Sequence, residues 1–283
     1  MSTDTNSPQG TMSDAQRSAA AADQALLPAV VDAVQAAGAR MLAEFSYDAR
    51  PVDRTGIADA IQAGDAVSLE YLRDPLLAAR PGAGWVEDEL DTGVLPKGEW
   101  WICDPVEGAV NHVHGMTHWC VTATLVRDNV PVVTAVSQPV TGGLYTAVLG
   151  GGAHLDGVRL RPSAKTDLDA AYVYTGQAAP GEGSETYRRI GRSVTAMMER
   201  ALLVGVSVPA TLQLVHVAAG RTDAFWQYSQ VRSGLVPGAL LVSEAGGKVS
   251  DTRGRPWTLA SEDFLAAAPG IHQAAVDALA TVA

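Results

Sequence analysis

Asp104-Pro105-Val106-Glu107-Gly108-Ala109-Val110-Asn111 is the stretch that decides how this chain is read. A short apolar run, Trp100 to Cys103, leads into it. Such a run, closed by an acid and a proline, reads as a strand that stops at Asp104, with Pro105 fixing the turn through its locked φ. A carboxylate at a strand end stands where open-sheet enzymes keep their chemistry. The plainer reading of the same residue is a turn aspartate.

The flanking sequence supplies the frame. Upstream, Leu27, Val30, Val31, Val34, Met41 and Phe45 recur at helical spacing, so a helix with one buried face is expected over 26–45. A second helix is expected to begin near Asp65, with Val67, Leu69, Leu72 and Leu76 as its apolar positions and Pro75 kinking or shortening it. Downstream, residues 120–125, 132–136 and 144–148 read as strands bounded by turn residues such as Asp128-Asn129 and Gly142-Gly143. From residue 184 the pattern alternates helix and strand to a closing helix over 271–282. Alternation of that kind implies a sheet covered by helices.

Composition narrows the class. At 283 residues the chain buries a large core, as one domain or as two halves sharing a cleft. A formal net charge of −11 argues against a nucleic-acid partner, because a phosphate backbone needs a basic footprint. It leaves a small anionic substrate open, since a local cation overrides the global field. Three lysines against seventeen arginines point to GC-rich bacterial coding. Cys103 and Cys120 sit in apolar runs and read as small buried hydrophobes. His112, His114 and His118 make a weak zinc motif on an irregular segment, and we read them as structural. No stretch reads as a membrane span, and residues 1–22 lack the basic end and apolar centre of a secretory signal. The expectation is a cytoplasmic protein with a disordered tail over 1–22, Met12 being an alternative start.

The opening motif resembles the Asp-Pro-Ile-Asp-Gly-Thr-Thr-Asn signature of the inositol monophosphatase family, and further segments resemble that family in its order. Pro139-Val140-Thr141 with Leu144-Tyr145-Thr146-Ala147 is similar to its Asn-Pro…Leu-Tyr/Phe-x-Ala strand. Gly151-Gly152-Ala153-His154-Leu155-Asp156-Gly157 is similar to its Gly-Gly-Ala-Phe-Leu-Asn-Gly turn. Val217-Ala218-Ala219-Gly220-Arg221 with Asp223-Ala224-Phe225-Trp226, and Gly238 through Gly247, resemble its C-terminal segments. The resemblance covers about residues 25–283. It implies an α/β fold, a layered α/β/α/β/α sandwich, divided here into an N-terminal α+β half over 23–165 and a C-terminal α/β half over 166–283.

The resemblance also implies phosphate-ester hydrolysis with Mg²⁺ held by carboxylates, since hard cations need oxygen ligands. On that pattern Asp88, Asp104, Glu107 and the Val106 carbonyl would hold metal. Glu107, Asp104 and Glu89 would be catalytic, and Asn111, Gly108 and Gln227 would face substrate. Asp65 matches an acid near the metal site, or serves as a helix N-terminal acid.

Several family positions are changed. Glu107 stands for an aspartate and Ala109 for a water-orienting threonine. Gly234 stands for an aspartate that binds a second metal, Ser233 for its tryptophan neighbour, and Gln227 for a glutamate. One Mg²⁺ site at most is therefore expected, with lost metal dependence as the alternative. The expected function is an enzyme whose phosphatase pocket serves another reaction on a small metabolite, phosphorylated or not, in specialised metabolism. The alternatives are a Mg²⁺-dependent phosphatase of inositol, sugar or nucleotide phosphates, and a non-catalytic ligand- or partner-binding protein. The expected partners are a small metabolite and a second copy of the chain, with no nucleic acid and no membrane.

Overall fold

The computed structural model describes residues 14–87, 92–178, 181–229 and 231–282. Two long helices come first, α1 (Asp14–Glu44) and α2 (Arg54–Ala79). They cover one face of a seven-stranded sheet of order β1-β2-β3-β4-β5-β6-β7. Its strands are β1 (Gly84–Trp85), β2 (Glu99–Glu107), β3 (Cys120–Arg127), β4 (Val130–Gln138), β5 (Gly143–Val148), β6 (Gly152–Leu155) and β7 (Val158–Arg159). All neighbours are antiparallel except β1 and β2. A short helix, α3 (Ala109–Val113), follows β2 directly.

The second sheet has the order β11-β12-β10-β8-β9. Its strands are β8 (Tyr172–Thr175), β9 (Leu203–Val206), β10 (Ala224–Gln227), β11 (Lys248–Ser250) and β12 (Phe264–Ala267). Helices α5 (Ala210–Ala218) and α6 (Arg232–Ala245) lie between the sheets, while α4 (Ser184–Met198) and α7 (His272–Leu279) cover the outer face of the second. The result is the expected α/β/α/β/α layering.

Burial explains the layers. The α1 stripe Leu26, Val30, Val34, Ala37 and Met41 packs with Leu72 and Leu76 of α2 on Val121, Ala123, Leu125 and Val133 of the sheet. On the opposite face, Cys120, Val136 and Tyr145 share one cluster with Leu214, Leu235, Leu240 and Phe264. The two sheets share that core, the first ending at Arg159 and the second beginning at Tyr172, either side of residue 165. Ions lock the outer layer to the sheet. The Arg127 guanidinium donates to both Asp23 oxygens at 2.9 and 2.6 Å and to Glu99 at 2.8 Å, and Arg80 takes Glu99 bidentately at 2.7 and 2.8 Å. Hydrogen bonds from Arg80 and Arg127 hold the Glu99 carboxyl below its ordinary range, against the opposing effect of its partial burial.

Four expectations need correction. The tail expected over 1–22 is helical from Asp14 onward, its earlier part lying outside the described residues. Helix α2 starts at Arg54, capped by Asp53 accepting from the Gly56 amide at 2.8 Å, and runs through Pro75 to Ala79 without being shortened. Its first turns are mostly exposed, so they carry no apolar stripe to read. Within α1, Ser18–Glu44 is long and apolar enough by composition to cross a membrane, yet its buried stripe is the one packed on the sheet. Finally, Asp104 does not end its strand. It lies inside β2, where two residues of β2, Pro105 and Val106, oppose one of β3, Val121: Asp104 pairs with Thr122 and Glu107 with Cys120. Pro105 is tolerated there because a bulge needs no ladder donor from it.

Candidate active site

The bulge aims two acids into the space between the sheets. Asp104 and Glu107 are 5% and 8% exposed, so both carboxylates are taken out of bulk water. One Asp104 oxygen, Oδ1, accepts from the Val106 amide at 3.1 Å, a contact that fixes its rotamer from within the bulge. The other, Oδ2, accepts from the Ser233 hydroxyl at 3.4 Å. Glu107 Oε1 accepts from the Thr211 amide at 3.3 Å. The two acids thus converge on the first turns of α6 and α5, whose N-terminal ends carry partial positive charge.

Gly234 is the other half of this arrangement. A Cβ built on it would fall 2.9 Å from Glu107 Oε1, closer than real Cβ contacts come. The longer acid at 107 therefore fills the place that a side chain at 234 would need. Sequence inspection treats Glu107 and Gly234 as two separate losses. In three dimensions the two positions share one space, Glu107 Oε1 lying where a side chain at 234 would begin. No sequence signal short of a paired change could have revealed it.

The other expected site residues fall out as follows. Asp88 and Glu89 lie outside the described residues. Val106 is buried beside Asp104. Gly108 adopts φ +89°, and a Cβ there would meet the His118 carbonyl at 2.8 Å, so it is a packing glycine. Asn111 does not present its amide to a ligand: its Nδ2 donates to the His118 and Val208 carbonyls at 2.7 and 3.0 Å. Gln227 lies on β10 of the second sheet, its amide donating to the Ser229 carbonyl at 2.8 Å. The three histidines do not gather: His112 packs among Phe45 and Trp119, while His118 lines a different pocket. Burial drives the His112 pKa down, so it behaves as a neutral aromatic.

A cavity of about 480 Å³ runs alongside, lined by Asp65, Arg73, Trp85, Glu87, Cys103 and Pro105 among others. Arg73 holds Glu87 with both guanidinium nitrogens and sits 5.7 Å from the Trp85 ring centroid. Burial raises the Asp65 carboxyl to about 6, so desolvation, not a helix dipole, dominates its chemistry.

The family implies Mg²⁺, and the donors can be tested against it. Among the described residues no group of three or more His, Cys, Asp or Glu could hold a metal ion. Mg²⁺, however, is commonly held by one or two carboxylates, with water and substrate phosphate completing its shell. Two buried, oxygen-only acids fit one such ion.

Comparison with known proteins gives a consistent set of relatives. Residues 22–282 match the family described as the inositol monophosphatase family. An inositol-1-monophosphatase of Rhizobium meliloti (strain 1021) is 35% identical over 236 residues, 82% of this chain and 88% of the relative. A Nus factor SuhB of Pseudomonas aeruginosa is 36% identical over 157 residues, 54% of this chain and 57% of its own. The solved structure of the extragenic suppressor protein suhB from Bartonella henselae matches with a TM-score of 0.76 at 28% identity, covering 90% of this chain and 98% of that one.

Two predictions follow from the packing and the burial. Gly234→Asp alone should cost about 1–3 kcal/mol, from overpacking and from placing two acids together. Combined with Glu107→Asp it should be largely relieved, with a coupling of about 1 kcal/mol or more in urea unfolding. Simple additivity would refute the shared-space reading. For Asp65 the sign is set by a folded pKa of about 6 against an ordinary 3.8. Between those values the folded chain holds more protons than the unfolded one, so this group's contribution to stability falls as pH rises through that window and stays low above it. Asp65→Asn should stabilise the protein at pH 7 by about 1–2 kcal/mol, the shift discounted for partial exposure, with no gain near pH 4. A pH-independent gain in urea midpoints would contradict this.

Proposed function

The chain belongs to the inositol monophosphatase family, and from that premise we propose that it is a cytoplasmic phosphomonoesterase of a small phosphorylated metabolite. One observation carries the reading: Glu107 delivers to the first turn of α6 the carboxylate that Gly234 lacks, beside the buried Asp104. An acid lost without compensation would have argued for a site given up. The inositol-1-monophosphatase name of the Rhizobium relative supports the same reaction class.

In this reading Asp104, Glu107 and the Val106 carbonyl would hold Mg²⁺, which when bound supplies Lewis-acid stabilisation of phosphoryl oxygens. The protein's own groups do the rest. The Val106 amide and the Ser233 hydroxyl keep the Asp104 carboxylate in one orientation. The Thr211 amide does the same for Glu107. The N-terminal turns of α5 and α6 favour negative charge in the space between them. Asp65, raised to about 6, has the proton affinity wanted of a general base near neutral pH, and it lines the cavity with Pro105.

A second reading is a pocket reused for another reaction on such a metabolite. It is favoured by Ala109, which offers no hydroxyl, and by nearby hydroxyls being engaged: Thr211 donates to the Gly234 carbonyl at 2.9 Å and Ser233 to Asp104, and Thr122 accepts from the Asp104 amide.

We extend the proposal to a homodimer. Strand β9 is an edge of its sheet, and Leu202, Leu203 and Val206 are 70%, 52% and 54% exposed along it. An apolar edge without charges is a natural pairing surface for a second copy.

The purified chain with Mg²⁺ should release phosphate from a panel of inositol, sugar and nucleoside monophosphates. Asp104→Asn and Glu107→Gln should each lower kcat by about a hundredfold or more. If the wild type releases none, the phosphatase reading fails. Activity on another transformation of the panel, lost in both variants, would then establish reuse, and a biological function indifferent to both would indicate a binding protein. Light scattering should give twice the chain mass, falling to one in Leu203→Glu; a monomeric wild type would refute the dimer.

A further inference from the structure

The far end of α5 holds a second cavity that shares no lining residue with the acidic one. It has a volume of about 350 Å³, and His118, Gln138, Tyr145, Asp156, His216 and Arg221 are on its wall. His216 lies in the last turn of α5, five residues beyond Thr211, which is about 7.5 Å along the axis. Its Nδ1 is buried without any hydrogen-bond partner. A buried ring nitrogen left unpaired is costly, and native structures seldom leave one without a reason.

The charges around it explain what is missing. The Arg221 amide donates to the His216 carbonyl at 2.9 Å, which holds the two residues side by side. Among the described residues the Arg221 side chain finds a phenol, not a carboxylate: its Nη1 donates to the Tyr145 hydroxyl at 3.1 Å. Burial lowers the His216 pKa, and the neighbouring Arg221 and His118 lower it further. One guanidinium and two imidazoles therefore share one cavity wall, Arg221 and His118 on its exposed side and His216 deeper. The opposing groups are few. Asp156, exposed at the rim, accepts from the Leu144 amide at 3.0 Å, and the C-terminus of α5 contributes about half a negative charge. That leaves donors in excess and an arginine fork with room on it.

We infer that this cavity is a second ligand site, for a small oxyanion: a phosphate or carboxylate group carried by a small metabolite. The Arg221 guanidinium supplies the planar fork that matches such a group. His216 and His118 supply ring nitrogens, and the Gln138 amide and Tyr145 hydroxyl complete the wall. The volume suits a small molecule. The inference is independent of the phosphatase reading, because it uses neither acid of β2.

Titration calorimetry with inorganic phosphate, on the full chain in EDTA, tests it. Wild-type protein should show saturable binding. Arg221→Gln should weaken it by about tenfold or more, the loss expected for one charge-assisted contact. His216→Phe, which keeps an aromatic ring of similar shape, should weaken it severalfold and stands in if Arg221→Gln does not fold. Asp104→Asn should leave the affinity unchanged, which separates this cavity from the β2 site. Neutral myo-inositol should not bind measurably. The inference is overturned if phosphate shows no saturable binding, if both cavity variants bind like wild type, if Asp104→Asn abolishes binding, or if myo-inositol binds as tightly.

Discussion

One shared space organises the acidic site: the Glu107 carboxylate lies where a side chain at Gly234 would stand. It joins the end of β2 to the first turn of α6, two segments far apart in the chain. The arrangement is possible because each side gave something up. Position 234 has no side chain, and position 107 has the longer of the two acids. Either feature alone would leave a void or a clash in a packed interior, where even a methylene is felt. Together they keep negative charge at the place where two helices begin.

The surrounding frame makes that place rigid. The bulge in β2 puts Asp104 and Glu107 on the side facing α5 and α6, and Pro105 sits where no ladder donor is required. Behind the sheet, α1 and α2 are fixed by a continuous apolar stripe and by the Arg127 and Arg80 ion network. The Ser68 hydroxyl of α2 reaches through to the Pro105 carbonyl at 2.7 Å, so the outer layer also holds the bulge itself. Each layer thus adds a constraint on the same few residues.

The sequence disclosed what is local and hid what is not. The layered fold could be read because strands 120–127, 130–138 and 143–148 and the α1 stripe carry their period in the chain. Asp104 and Glu107 could be read because they sit in one short motif. Helix α2 was legible only where it is buried, its exposed first turns carrying no apolar stripe. Asn111 and Gly108 looked like ligand-facing residues, yet their neighbours are carbonyls of the 118 and 208 segments, which only folding brings near. His112, read as structural, is a ring packed with Phe45 and Trp119. The roles of Thr211 and Ser233 depend on how α5 and α6 meet β2, and no local pattern encodes that.

Ala109, which on the resemblance stands for a threonine, is half-buried and packs against the apolar cluster under α1 and α2. Three hydroxyls around the acids serve the frame: Ser233 donates to Asp104, Thr122 accepts from the Asp104 amide, and Thr211 ties α5 to the Gly234 carbonyl. In the proposed phosphatase, Asp65 is the group that titrates near neutrality, being raised by burial and set one helical turn before the serine that braces the bulge. Its basicity rests on desolvation, so the proposed activity should depend on keeping water out of the cavity that Asp65 lines with Pro105.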